Sequence, residues 1–233
     1  MAYQYHEKAL PNQAVNSNLY SGNDDLMVAM NNLLENHVRS IKKDCFKLNV
    51  HHRVPFEEMS TPPAQLALIK FLIEITNTKT LLEIGTFIGN TSMHIANFIG
   101  PDAEVVTIEK FNEFADLARK NFENNNLSER ISLHVGDAYE VMKTLPDNHF
   151  DFIYVDGDKG RYLELTQLAE QKLSGKGVIL VDDVFFHGDV FNKTPTTEKG
   201  LGCKKVLDYY KDTKKFSKYI VPINNGIMLL KRI

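Results

Sequence analysis

Residues 81–91 are LLEIGTFIGNT, a short apolar run that breaks into a turn with two glycines and continues as a helical pattern. Gly85 and Gly89 lack a Cβ, so the backbone between them can turn sharply and come close to a ligand. The N–H groups at the start of the following helix have no partner within that helix. The stretch predicts the first strand of an α/β domain and a cofactor loop, although a purely structural strand–helix connection has the same pattern.

Strand and helix patterns alternate regularly after this stretch. Strands are predicted over 81–84, 104–108, 131–135, 150–155 and 177–181, and helices over 90–98, 111–124, 139–142, 161–172 and 201–210. Several strands are continuous runs of Val, Ile and Leu, which is typical of a parallel sheet covered on both faces. Two final apolar runs, 216–221 and 227–230, flank an Asn-Gly turn and predict an antiparallel hairpin. The predicted fold is α/β, a mostly parallel seven-stranded sheet that ends in this hairpin.

The composition is that of an ordinary globular protein. The chain has 233 residues, of which 43% are hydrophobic and 24% charged, and its formal net charge is -3. This balance gives no global electrostatic reason to expect a nucleic-acid partner. Cys45 and Cys203 are far apart and lack the spacing of a zinc site or a disulfide framework. Neither a signal peptide nor a membrane span is recognisable, so we expect a soluble, cytoplasmic protein without a membrane partner.

Residues 1–60 are interpreted as an N-terminal helical extension, and residues 61–233 as the main domain. Apolar side chains at helical spacing form one stripe in the extension, namely Leu26, Met30, Leu33, Leu34, His37, Val38 and Ile41. Such a helix could pack on its own domain, cover a substrate pocket or contact a second subunit. The main domain is predicted to begin with a helix at Pro62-Pro63, with Leu66, Ile69 and Ile73 facing inward.

Acidic residues follow the second and third predicted strands. In an open parallel sheet, ligands bind beyond the carboxyl ends of the strands. Glu109 ends the second strand, where an acid can accept hydrogen bonds from both hydroxyls of a ribose. Asp137 follows the third strand, where it can accept from an adenine amine, although Gly-Asp-Ala is also an ordinary turn. Each acid by itself also suits a solvated loop end or a helix cap.

A second group of acids follows the fourth and fifth strands. Asp156 ends the fourth strand and Asp182-Asp183 the fifth, so the three carboxylates converge if these strands are neighbours. Like charges at this distance repel strongly, and a divalent cation would relieve the repulsion. An all-oxygen ligand set suits Mg²⁺, Ca²⁺ or Mn²⁺ better than zinc. Lys159 stands beside this cluster as a general base, a charge partner or a surface residue at a helix start.

Four motifs in order resemble one family. They are LEIGTFIG at 82–89, YVDGDKGRY at 154–162, the pair Asp182-Asp183, and PINNGI at 222–227. Together they resemble the class I S-adenosylmethionine-dependent O-methyltransferases of the metal-dependent caffeoyl-CoA and catechol type, in their bacterial form. The resemblance begins near Met59 and covers about three quarters of the chain. It implies a Rossmann-like methyltransferase fold and, in that family, a homodimer.

The resemblance also implies roles for single residues toward S-adenosylmethionine. The methionine part of the cofactor would contact Thr61, Glu83, Gly85, Thr86 and Thr91. Glu109 would hold the ribose, while Asp137 and Ala138 would frame the adenine.

The resemblance places the metal and the acceptor on the other side of the crevice. Asp156, Asp182 and Asp183 would bind a divalent cation, Mg²⁺ foremost, and Asp156 would also lie near the cofactor. Lys159 would take the proton of the acceptor hydroxyl, and Phe186 falls where plant relatives carry a tryptophan against the aromatic substrate. Methyl transfer is an in-line displacement, and a divalent ion that chelates two neighbouring hydroxyls orients and activates one of them. A small catechol or phenolic acceptor with vicinal oxygens is therefore implied.

The chain departs from the family pattern in several places. Asp183 stands where asparagine is usual, which adds a negative charge to the predicted metal site. Asn90 stands where a tyrosine is usual. Residues 62–65, Pro-Pro-Ala-Gln, stand where relatives carry an Asp/Glu-Gly motif. The chain has no tryptophan, so its acceptor pocket need not match that of any plant enzyme.

Three other functions compete with this interpretation. A nicotinamide-dependent dehydrogenase shares the first strand and the acid after the second, but Gly85 to Gly89 does not form its G-x-G-x-x-G fingerprint. Methylation of hydroxyuridine in tRNA is the alternative within methyl transfer, and a basic N-terminal face would suit it, formed by Arg39, Lys42, Lys43, Lys47 and Arg53. A protein that binds the cofactor without catalysis is the third, which Lys159 and the three aspartates disfavour.

Overall fold

The computed structural model describes Leu33, Ile41 and residues 45–233, except for the side chain of Glu58. Most of the predicted N-terminal stripe therefore lies outside the described residues, and the boundary at residue 60 stays a prediction. In the part of the chain that the structure describes, no helix is long and apolar enough to cross a membrane.

One seven-stranded sheet forms the centre of the domain, as predicted. The strands are β1 (Thr80–Ile84), β2 (Glu104–Glu109), β3 (Ile131–Val135), β4 (Phe150–Val155), β5 (Leu173–Val181), β6 (Phe216–Val221) and β7 (Ile227–Arg232). Their order across the sheet is β3-β2-β1-β4-β5-β7-β6. The first five strands pair in parallel, while β7 pairs antiparallel with both β5 and β6. The order reverses beside β1, which is where ligands bind in sheets of this kind.

Helices connect the strands on both faces. They are α1 (Phe56–Met59), α2 (Pro63–Thr76), α3 (Asn90–Ile99), α4 (Asn112–Asn124), α5 (Ala138–Thr144), α6 (Tyr162–Lys172) and α7 (Glu198–Asp212). Two short 3₁₀ helices, Lys159–Arg161 and Phe186–Phe191, follow β4 and β5. Pro63 lies in the first turn of α2, where its missing N–H costs no intrahelical hydrogen bond.

The sheet is buried on both faces because neighbouring residues of a strand point to opposite sides. Leu82, Ile153 and Ile179 lie in one core cluster, while Leu81 and Leu180 lie in the other. All five side chains are fully buried. This explains why these strands are continuous apolar runs rather than alternating ones.

Two elements begin three residues or more before the predicted position, whereas the other boundaries agree to within two residues. Strand β5 begins at Leu173 rather than Gly177, because Leu173 pairs with Phe150 across a register shift in β4. Helix α7 begins at Glu198 rather than Leu201, because the Thr197 hydroxyl caps it and accepts from the N–H of Gly200 at 2.9 Å. The cap precedes the first apolar residue of the helix, so apolar periodicity places the start too late.

The loop after β1 is shaped by residues with positive φ. Gly85 has φ +104° and Gly89 has φ +84°, while Phe87 between them has φ +51°. A Cβ on Gly85 would overlap the carbonyl group of Asp156, so the missing side chain lets the loops after β1 and β4 touch. The predicted cofactor loop thus lies directly against the predicted metal cluster.

Replacing Gly85 with alanine should lower the free energy of unfolding by about 2 kcal/mol or more, because of both the strained φ and the backbone overlap. Urea denaturation followed by circular dichroism measures this change. Gly175→Ala is the matched control, since Gly175 lies exposed in β5 with open space around its Cα. Equal stability of the two variants would contradict the close approach at Gly85.

Candidate active site

The acids after β4 and β5 meet at the carboxyl edge of the sheet. Strands β4 and β5 are neighbours, and Val155 pairs with Val181, so the next residue of each strand leaves the sheet at the same level. One carboxylate oxygen from each of Asp156, Asp182 and Asp183 lies within 4.8 Å of the other two. Asp183 adopts φ +51°, which turns the chain directly after Asp182. The predicted convergence of the three acids is thus present in the structure.

Lys159 bridges two of the three acids. Its Nζ lies 3.1 Å from Asp156 Oδ1 and 3.0 Å from Asp183 Oδ2. The 3₁₀ helix that carries Lys159 is capped by Asp158, which accepts from the N–H of Gly160 at 3.1 Å. The side chain of Lys159 is only 13% exposed, so its ammonium group faces the acids rather than bulk water.

Burial and neighbouring charges together set the pKa values in this cluster. Burial raises the pKa of Asp182 well above its ordinary value, and the charges of Asp183 and Asp156 raise it further. Burial also raises the pKa of Asp156, which the charge of Lys159 only partly offsets. For Asp183, burial is outweighed by the charge and hydrogen bond of Lys159, so its pKa is lowered. Burial lowers the pKa of Lys159, but the surrounding acids outweigh this and hold it well above its ordinary value.

The residues present fit a hard divalent cation. One ammonium group offsets only one of the three carboxylates, so a cluster with every group ionised carries two uncompensated negative charges. Carboxylate oxygens are the ligands that Mg²⁺, Ca²⁺ and Mn²⁺ prefer. Asp156 and Asp183 each keep about a quarter of their side chain exposed, which leaves the cluster open on one side.

Glu83 lies beneath the loop after β1. It is fully buried, and its Oε2 accepts hydrogen bonds from the hydroxyls of Ser92 and Thr107. Its Oε1 is buried, and no residue in the described part of the chain forms a hydrogen bond with it. Thr86 is also buried and shares a hydrogen bond of 2.6 Å with Thr107. Burial raises the pKa of Glu83 to about 8, since the two hydroxyl donors only partly stabilise the charged form.

Glu109 is the last residue of β2 and connects two loops. Its Oε2 accepts from the N–H of Phe87 and its Oε1 from the N–H of Phe111, both at 2.8 Å. Burial raises the pKa of Glu109 to about 7 despite these bonds. The carboxylate therefore holds the loops after β1 and β2 together at the place where the sequence predicts ribose binding.

Asp137 is a helix cap, which was one of the alternatives that the sequence left open, and it has charged partners that the sequence did not indicate. It caps α5 by accepting from the N–H of Tyr139 at 3.1 Å, directly before Ala138, the first residue of that helix. Arg161 Nη1 lies 2.9 Å from its Oδ2, and Lys110 Nζ lies 3.6 Å away. Burial would raise the pKa of Asp137, but the charge of Arg161 outweighs it and lowers the pKa. Any adenine contact of Asp137 is thus shared with a helix cap and a salt bridge.

Thr61 and Thr91 meet in a buried polar network. Their hydroxyls lie 2.8 Å apart, and Thr61 Oγ1 lies 3.3 Å from the hydroxyl of Tyr154. Tyr154 in turn donates to Asp182 and accepts from Gln65. Sequence reasoning missed Tyr154 and Gln65. The only signal was a phenolic hydroxyl inside the otherwise apolar strand end Phe-Ile-Tyr-Val.

Phe186 lies in the loop that follows the acids. The N–H of Phe186 donates to the carbonyl of Asp183 at 2.9 Å, so the ring follows the acid cluster by one tight turn. Asp189 fixes the end of this loop by accepting hydrogen bonds from Thr196 and Thr197. Burial alone would raise the pKa of Asp189, but these donors lower it to about 2. His187, next to Phe186, also lowers the pKa of Asp183 through its charge, and the sequence did not indicate it.

Comparison with known proteins identifies relatives for nearly the whole chain. A family model described as O-methyltransferase matches residues 35–233. A protein named probable caffeoyl-CoA O-methyltransferase 2, from Dictyostelium discoideum, is 29% identical over 180 residues, which is 75% of this chain and 78% of the relative. A catechol O-methyltransferase from Niastella koreensis is 27% identical over 151 residues, 63% of this chain and 68% of the relative.

Solved structures show the same fold. The methyltransferase PaMTH1 from Podospora anserina, bound to S-adenosylhomocysteine, has a TM-score of 0.75 at 21% identity, over 92% of this chain and 98% of that one. The O-methyltransferase TomG from Streptomyces achromogenes, in complex with S-adenosylmethionine, has a TM-score of 0.70 at 24% identity, over 75% and 82% of the two chains. At identities this low the likeness extends to the fold alone.

Glu83→Gln should flatten the pH dependence of stability. Below its ordinary pKa of 4.5 the carboxyl is protonated in both the folded and the unfolded chain, whereas from there to about 8 only the folded chain keeps the proton. Folding is therefore disfavoured as pH rises through this window, by about 2 kcal/mol between about pH 6 and about pH 7.5.

The measurement is urea denaturation across that pH range. The glutamine variant should lose this part of the decline, because its amide oxygen can still accept from Ser92 and Thr107 without titrating. Glu123→Gln, an exposed position on α4, is the control and should keep the wild-type profile. Parallel profiles for wild type and Glu83→Gln would show that Glu83 does not titrate in this way.

Proposed function

The chain belongs to the S-adenosylmethionine-dependent O-methyltransferases, and on that premise we propose that it methylates one of two neighbouring hydroxyls of a small catechol or phenolic acceptor. The observation that carries this proposal is the cluster of Asp156, Asp182, Asp183 and Lys159, which lies against the glycine loop after β1. A methyl donor held at the loop and an acceptor held at the cluster would face each other across the carboxyl edge of the sheet. Holding both partners in line supplies most of the catalysis that such a displacement needs.

On the cofactor side, we propose that the residues around β1 and β2 hold S-adenosylmethionine. Glu109 would accept from the ribose hydroxyls, and Asp137 with Ala138 would border the adenine. The methionine part would lie at the glycine loop, in contact with Thr61, Glu83, Gly85, Thr86 and Thr91. The side chains of Glu83 and Thr86 are buried beneath the loop, so both would support its backbone. Glu83 would also accept a hydrogen bond at its Oε1, which has no partner among the described residues.

On the acceptor side, Asp156, Asp182 and Asp183 would hold a divalent cation, with Mg²⁺ as the first candidate. When bound, such an ion would lower the pKa of an acceptor hydroxyl and fix its direction. The extra negative charge of Asp183, compared with an asparagine, favours tight binding of a hard cation. Phe186, one turn after Asp183, would border the aromatic ring of the acceptor.

Lys159 is proposed as the residue that takes the proton of the acceptor hydroxyl at its Nζ. Its contacts to Asp156 and Asp183 hold its pKa well above the ordinary value, and a protonated ammonium group cannot act as a base. Neutralising the two aspartates would remove the main cause of that rise, while burial would then lower the pKa. The base function of Lys159 therefore depends on charge compensation at Asp156 and Asp183.

Asp182→Ala and Asp156→Ala should each lower turnover of a catechol in the presence of Mg²⁺ by about 100-fold or more, because the acceptor loses its point of attachment. Binding of S-adenosylhomocysteine, measured by calorimetry, should change little. Asp102→Ala, an exposed acid in the turn after α3, is the control and should keep full activity. Unchanged turnover in either cluster variant would refute the metal assignment.

The acceptor class can be tested by transfer of a labelled methyl group to catechols, caffeoyl esters and bulk tRNA, with and without EDTA. We expect label on a catechol or caffeoyl ester, lost when EDTA removes the divalent ions. Label on tRNA alone would contradict the proposal and favour hydroxyuridine methylation. Tight binding of the cofactor without transfer to any of these acceptors would favour a binding protein without catalysis.

A further inference from the structure

A buried tyrosine stands directly behind one of the clustered acids. The hydroxyl of Tyr154 donates to Asp182 Oδ2 at 2.8 Å and accepts from Gln65 Nε2 at 2.9 Å. Tyr154 is fully buried and Gln65 is 1% exposed. Water is therefore not available to replace these hydrogen bonds if one partner is removed.

The strand register places Tyr154 beneath the cluster. Tyr154 pairs with Leu180 across β4 and β5, and Asp182 follows Leu180 by two residues. Tyr154 and Leu180 lie in the same core cluster on one side of the sheet, and Asp182, the first residue after β5, accepts from Tyr154 there. That side is covered by α2, the helix that carries Gln65. The phenol thus fills the space between the helix and the acid.

The direction of each hydrogen bond follows from the neighbours. Asn224 Nδ2 donates to Gln65 Oε1 at 3.3 Å, which leaves Gln65 Nε2 to face the phenol. The phenol oxygen then accepts from Gln65, and its single proton points to Asp182. An ionised carboxylate can only accept, so the whole chain of donors ends at Asp182 and stabilises its charged form.

Both oxygens of Asp182 are held in place. Oδ2 accepts from Tyr154, and Oδ1 accepts from the N–H of Asp183 at 2.7 Å. Each carboxylate oxygen has a second lone pair, so both stay able to bind a cation. A carboxylate fixed at two points cannot rotate away from the cluster, and its remaining lone pairs keep one direction.

Packing alone does not explain the hydroxyl of Tyr154. The ring lies in a core cluster with Leu81, Met93, Leu180 and Ile227, where a phenylalanine would fill the same space without burying a polar atom. A phenol here costs desolvation free energy unless it is fully paired. Its pairing with Asp182 indicates that the hydroxyl serves the acid rather than the core.

We propose that Tyr154 is a positioning residue, which orients the carboxylate of Asp182 for a divalent cation, and that Gln65 holds its hydroxyl for this purpose. This inference rests on the proposed function, because it assigns the cation to the same three acids. The hydrogen bonds of a ligand to its surroundings commonly change metal affinity by about 10-fold to 100-fold.

Tyr154→Phe should weaken binding of Mn²⁺ by about 10-fold, as measured from the free-ion signal in electron paramagnetic resonance. Binding of S-adenosylhomocysteine should stay within about 2-fold, and turnover lost at low Mg²⁺ should recover at saturating Mg²⁺. Gln65→Met leaves the phenol in place but removes its donor, so it should weaken Mn²⁺ binding by a smaller factor. The double variant should bind more weakly than Tyr154→Phe alone, because a hydrogen bond from Gln65 also stabilises the charged form of Asp182 directly.

Tyr210→Phe is the matched control. Tyr210 is also buried, and its hydroxyl donates to Glu170 Oε1 at 2.5 Å, away from the three acids. The two phenylalanine variants should lose comparable stability in urea denaturation, whereas only Tyr154→Phe should change the affinity for Mn²⁺. A merely structural role for Tyr154 would give equal stability losses and leave the affinity unchanged in both.

The outcomes separate this inference from the function on which it rests. The role of Tyr154 alone would be overturned if the wild-type protein binds Mn²⁺, Asp182→Ala loses this binding and Tyr154→Phe keeps it at full affinity. Wild-type protein that binds no Mn²⁺ would overturn both the metal assignment and this inference. Weaker binding in Tyr154→Phe, with an unchanged Tyr210→Phe, would support both.

Discussion

Repulsion among three carboxylates in one partly buried volume is the constraint on which this edge of the molecule depends. Burial and mutual repulsion both penalise the charged forms of Asp156 and Asp182 there and raise their pKa values. Lys159 offsets one charge, and Tyr154 donates to a second acid from behind. The remaining negative charge faces the open side of the cluster. A purely structural ion pair would be balanced within the protein, whereas the described residues give this cluster three carboxylates and one ammonium group.

The sheet topology makes this cluster useful by placing it beside a second polar site. Strand β1 lies between β2 and β4, so its loop borders both the acid cluster and Glu109. Gly85 allows the loop to touch the backbone of Asp156, and Glu109 ties the same loop to the end of β2. A donor and an acceptor bound on the two sides would be separated by about one strand spacing. Proximity of this kind is the main requirement of methyl transfer between two bound molecules.

Much of the fold was predictable because its signals are local. Continuous apolar runs indicated the parallel strands, and Asn224-Asn225-Gly226 indicated the final hairpin. The start of α7 was placed too late because its cap, Thr197, lies outside the apolar pattern. The salt bridge of Asp137 was missed because its partner is distant in sequence: Asp137 follows β3, whereas Arg161 lies in the segment after β4. The prediction that the acids converge succeeded because it required only that β4 and β5 be neighbours.

The sequence by itself determined which chemical groups stand at the ends of the strands, because a strand, a glycine turn and an acid are each recognisable from consecutive residues. Only the tertiary structure decided how those groups are held. Gln65, Tyr154 and Asp182 come from three different elements, and their hydrogen bonds exist because α2 packs on the face where β4 and β5 place the other two. The raised pKa of Glu83 likewise follows from burial among residues distant in sequence. Hydrogen-bond partners and desolvation depend on distances in space, which residue spacing along the chain does not contain.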